Sequence, residues 1–149
     1  MQWDQFVKKY IWDDERTPYL ASVRTLSRRQ ADYEIFAYAI FLGVLFGVFA
    51  LASVLDATPD GGEVAVYAWS VILAAVALSL TKHLYAAVYC ATAPVAALLY
   101  FYVFGFHPNL VDIDHALLTG FGVLWLVYAW RVVAIARAYP DMPEAGEGA

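Results

Sequence analysis

Four stretches of the chain are apolar on every side of a helical wheel: Ile35 to Leu55, Val64 to Leu80, Leu84 to Phe106 and Ala116 to Ala136. About 20 helical residues cross a hydrocarbon core of roughly 30 Å, and about 17 to 25 are workable, so each stretch can span. A helix in a soluble bundle carries an apolar stripe on one side only, whereas a helix facing lipid is apolar all round. The pattern therefore predicts an all-α integral membrane protein with four transmembrane helices over about 35–55, 64–80, 84–106 and 116–136. Composition agrees, with 62% hydrophobic and 15% charged residues against roughly 45 to 50% and about 25% in soluble domains.

The segments between the spans set their connectivity. Ser27 with Gln30 three residues later has capping-box spacing, so a helix should start near Ser27 and run into the first span. The link Thr81, Lys82, His83 is so short that the second and third spans must be antiparallel neighbours. Residues 56–63 hold Pro59, Gly61 and Gly62 and read as a turn. Within residues 1–34, Trp3, Phe6, Val7, Tyr10 and Ile11 recur at helical spacing, with Asp4, Gln5, Lys8 and Lys9 on the other face. That pattern predicts an amphipathic interfacial helix lying in the headgroup region, or one docking the same aromatic face on a partner. Residues 137–149, with Pro140, Pro143, Gly146 and Gly148, read as a disordered tail.

Charge assigns an orientation. All nine Lys and Arg residues fall on one side of the four spans: Lys8, Lys9, Arg16, Arg24, Arg28, Arg29, Lys82, Arg131 and Arg137. The other side carries Asp56, Asp60, Glu63, Asp112 and Asp114. By the positive-inside rule both termini are expected in the cytoplasm (N-in/C-in). The acids among the first 34 residues fit neither a cleavable signal peptide nor a mitochondrial transit peptide, which makes a bacterial inner (plasma) membrane the default expectation. The net charge of −5 argues against a nucleic-acid partner, and the single cysteine, Cys90, reads as a small hydrophobe.

Candidate chemistry is sparse. Ala39, Gly43 and Gly47 put small residues on one face of the first span, the signature of close helix packing within the bundle, with a second copy or with another subunit. Pro94 removes one backbone donor in the third span and should kink it. His107, Asp112, Asp114 and His115 gather metal-ligand residue types in one loop, although either aspartate would also serve as an ordinary N-cap for the fourth helix. Arg131 is the one charge inside a span. It is expected to snorkel to the headgroups, or to pair with Asp32 or Glu34. The dense aromatic run from Tyr100 to Phe106 could contact a lipid, quinone or pigment, and no resident cofactor is indicated. With no nucleophile beside a charged partner in the spans, the sequence points away from an enzyme. It favours an accessory or assembly subunit packed against other integral membrane subunits or its own copies in membrane lipid. A small oligomeric transporter or channel, or a metal or cofactor protein using the His/Asp loop, are the alternatives.

Overall fold

The computed structural model describes residues 21–55, 61–105 and 109–144. The chain there is helical: a short 3-10 turn at Val23–Thr25, then α1 (Arg28–Leu55), α2 (Gly61–Thr81), α3 (Leu84–Phe104), α4 (Asp112–Ala138) and a second 3-10 turn at Tyr139–Asp141. Among the described residues all four long helices are long and apolar enough to cross a membrane, the architecture of a multi-pass membrane protein. Trp3, Phe6, Val7, Tyr10, Ile11 and His107 lie outside the described residues.

The helices follow one another around the bundle, with α1 packed most extensively on α2 and α3 on α4. Each helix buries a narrow stripe: Ile35, Tyr38, Leu42, Phe46 and Ala50 on α1; Ala68, Val71, Ala75 and Leu78 on α2; Ala87, Cys90 and Ala93 on α3; Trp125, Ala129, Val132 and Ile135 on α4. The i, i+3, i+4 spacing of these stripes is that of one helical face. The opposite faces, from Phe36 and Val44 on α1 to Leu124 and Val127 on α4, are exposed large apolar side chains, as lipid as solvent requires.

The helix ends are closed locally. At α1 the Ser27 N–H donates to Gln30 Oε1 at 3.0 Å while the Gln30 N–H reaches back to Ser27 Oγ at 3.4 Å, the reciprocal pair that the spacing predicts. Gly105 ends α3 with φ +74, a left-handed conformation suited to glycine, and its N–H donates to the Phe101 carbonyl at 3.0 Å. Between α2 and α3 the same left-handed region is occupied by Lys82, φ 55, whose N–H donates to the Leu78 carbonyl at 2.9 Å. At α4 the N-cap position is Val111, not an aspartate. Asp114, three residues on, accepts the Val111 N–H at 3.1 Å.

The segment from 137 to 144 departs from the expected disorder. Arg137 and Ala138 complete α4, the 3-10 turn follows, and Met142 is buried to 6% exposure. A single apolar anchor, Met142, with the Pro143 carbonyl accepting the Arg28 N–H at 3.1 Å, holds this stretch on the start of α1. One of the orphan donors of the first turn of α1 is satisfied in this way.

Candidate functional site

Among the described residues, the end of the bundle that carries Arg28, Lys82 and Arg131 holds three ion pairs. Glu34 lies six residues into α1 and Arg131 seven residues before the end of α4, about 9 and 10 Å of helix rise respectively, so the two reach the same level from opposite chain directions. Arg131 donates from Nε to Glu34 Oε2 at 2.9 Å and from Nη2 to Glu34 Oε1 at 2.8 Å, a bidentate fork. Its Nη1 donates to the Ala21 carbonyl at 2.7 Å. The Glu34 side chain is fully buried and that of Arg131 is 18% exposed. Arg131 therefore points inward to a carboxylate instead of snorkelling outward, and of the two acids considered it takes Glu34.

Asp32 has other partners: the Tyr139 hydroxyl donates to its Oδ1 at 2.9 Å, and Lys82 Nζ approaches the same oxygen at 3.5 Å. The Lys82 ammonium also contacts the Ser79 carbonyl. Arg28 donates to Glu144 Oε1 and to the Pro140 carbonyl, each at 3.0 Å. These contacts tie together the segment before α1, the α2–α3 link and the stretch after α4. Comparison with protein-family models, curated proteins and solved structures finds no match. The arrangement is read from its own chemistry.

The other candidate residues separate. A Cβ built on Gly43 or Gly47 would meet nothing within 4 Å, so no described residue fills their notch, whereas Ala39 packs against the core. The close helix approach falls at Gly122 of α4, where a Cβ would stand 2.7 Å from Leu98 Cδ2 of α3. Sequence reasoning passed over Gly122 because it has no small residue at i±4. The signal that could have found it is its position three residues before Trp125 on the same buried stripe.

Pro94 is buried within α3, which runs on through it to Phe104. Among the described residues no three His, Cys, Asp or Glu side chains gather as a metal site, and Asp114 is engaged in capping. In the aromatic run of α3, Tyr100, Tyr102 and Phe104 are exposed, with Tyr100 and Phe104 rings 5.0 Å apart.

Two features had no counterpart in the sequence reading. Beyond the Arg131–Glu34 pair, α1 and α4 meet through rings, Tyr38 on Tyr128 at 5.8 Å and Phe41 on Trp125 at 5.6 Å, beside a cleft of about 280 Å³. Across the α2–α3 seam, Tyr67 contacts Thr92 and Tyr89 contacts Ser70 through their hydroxyls, at 3.1 and 2.7 Å.

Proposed function

We propose that this chain is a non-catalytic accessory or assembly subunit, a multi-pass protein of a bacterial inner membrane with both termini cytoplasmic, packed against a larger complex of integral membrane subunits. The observation that carries this reading is the closure of Arg131 on Glu34. The one charge within the spans is used up as an internal brace, with its guanidinium held by the carboxylate and the Ala21 carbonyl. An ionisable group serving an ion path must instead be able to exchange partners.

The face of α1 around Gly43 and Gly47 supports a partner helix, because it offers a notch in which two backbones can approach closely and no described side chain enters it. The exposed rings of Tyr100, Tyr102 and Phe104 on α3 offer a second apolar surface. The orientation rests on the charge asymmetry of the sequence, since the described Lys and Arg residues, Arg24, Arg28, Arg29, Lys82, Arg131 and Arg137, all lie at the end where the ion pairs form.

The test is co-purification of the tagged chain from its own host after gentle detergent extraction, followed by mass spectrometry, with a Gly43→Leu/Gly47→Leu variant in parallel. A larger complex in fixed ratio, lost in the variant while its thermal midpoint is unchanged, is the expected result. Recovery of the wild-type chain alone or only as a homo-oligomer overturns the reading.

A further inference from the structure

The seam between α2 and α3 carries the same short pattern twice, Tyr67-Ala68-Trp69-Ser70 and Tyr89-Cys90-Ala91-Thr92. In each copy the hydroxyl residue bonds the carbonyl of its own tyrosine: Ser70 Oγ donates to the Tyr67 carbonyl and Thr92 Oγ1 to the Tyr89 carbonyl, both at 2.7 Å. A hydroxyl has a single hydrogen. Since Ser70 and Thr92 spend theirs on those carbonyls, the tyrosines must be the donors across the seam, Tyr89 to Ser70 and Tyr67 to Thr92. The helices are antiparallel, so the two relays run in opposite directions and close on each other. Every hydrogen of the four hydroxyls is turned inward, and only oxygen lone pairs are left to face a ligand.

Beside this quartet lies a groove of about 450 Å³ lined by Gly62, Glu63, Val66, Tyr67, Ser70 and Tyr89. Among the described residues lining it, the one charge is the exposed carboxylate of Glu63 in the first turn of α2. The side chains of the groove thus present acceptors, two aromatic rings and a negative charge. The described residues at this end, 61–63 and 109–115, include no Lys or Arg. A ligand matched to such a wall brings hydrogen-bond donors and positive charge, and tyrosine faces add attraction for a cation.

The groove begins at the mouth of α2 and reaches Tyr67 and Ser70 about 9 and 13 Å of helix rise below it. A water-soluble amine would have to leave water to fill that length, whereas a lipid carries its amine at the headgroup level and its chain below.

We propose that this groove binds a membrane lipid with a primary ammonium head group, of the phosphatidylethanolamine type, with the ammonium on Glu63 and the chain running down past Val66 to the tyrosine pair. This site is independent of the accessory-subunit reading, since it concerns lipid on a different seam.

Native mass spectrometry of the full chain, exchanged into phosphatidylethanolamine, its N-acetyl derivative or phosphatidylglycerol at equal mole fraction, counts bound lipid directly. Retention of phosphatidylethanolamine should exceed that of the N-acetyl form about tenfold, the worth of one charge-assisted contact. Glu63→Gln should abolish the preference, and Asp112→Asn, at the same end but outside the groove, should leave it intact. Equal retention of the amine and its N-acetyl form, stronger retention of phosphatidylglycerol, or a preference that survives Glu63→Gln overturns the proposal. Binding of ethylamine as tight as that of the lipid would assign the groove to soluble amines and overturn the lipid assignment.

Discussion

Cutting the Glu34–Arg131 pair from one side should destabilise the bundle far more than removing both partners. Glu34 is completely buried, and its two oxygens are taken up by the Arg131 fork at 2.8 and 2.9 Å. Replacing one member of a buried pair costs about 3–5 kcal/mol because a charge is left without its counter-charge. With 18% of its side chain exposed, Arg131 keeps part of its solvation, which places Glu34→Leu near the lower bound, about 3 kcal/mol, whereas Arg131→Met strands the fully buried carboxylate and falls nearer about 5 kcal/mol. The double variant replaces the pair by apolar groups of similar length. It forfeits the bond to the Ala21 carbonyl, worth about 1 kcal/mol, and should end more stable than either single variant. The measurement is a double-mutant cycle on unfolding in mixed detergent and SDS micelles, followed by tryptophan fluorescence. A coupling energy of about 2 kcal/mol or more is expected. If the single effects simply add, within about 0.5 kcal/mol, the two groups do not act as a pair and the brace assignment is wrong.

Gly122→Leu drives a branched side chain into Leu98 and should cost about 1–3 kcal/mol in the same titration, against little for Gly43→Leu, whose site is open; equal effects at the two positions would refute the α3–α4 approach at Gly122. Lys82→Gly and Lys82→Met both lose the Asp32 contact, but only glycine relieves the positive φ, so the glycine variant should be the more stable of the two by about 1 kcal/mol, measured by thermal unfolding. A methionine variant as stable as the glycine variant would show that the left-handed residue carries no strain.

The parts of the fold that depend on solvent and local chain chemistry were legible from the residues. Lipid-facing helices announce themselves because every side must be apolar, and the Ser27–Gln30 cap needs only neighbours three positions apart. The acid partner of Arg131 could be narrowed to two because level in the bundle follows from helix rise, but Asp32 and Glu34 differ by a rotation of the helix that only packing decides. Gly43 and Gly47 have the spacing for close packing, yet among the described residues the close approach falls on Gly122, where the neighbour, Leu98, is 24 residues away in sequence. The order of residues 137–144 was hidden for the same reason. Their composition is that of a free tail, and what holds them is a long-range set of contacts to Arg28 and a pocket for Met142.

The brace also imposes a schedule on synthesis. Glu34 leaves the ribosome 97 residues ahead of Arg131, which at about 5–20 residues per second is an interval on the order of 5–20 s. Through that interval the carboxylate has no guanidinium to meet, and α1 has every reason to keep its first turns near water. Only when α4 arrives can those turns settle to their final depth. A chain cut short after α3 would retain an unanswered acid at the bundle's edge, a mark by which unfinished copies differ chemically from finished ones.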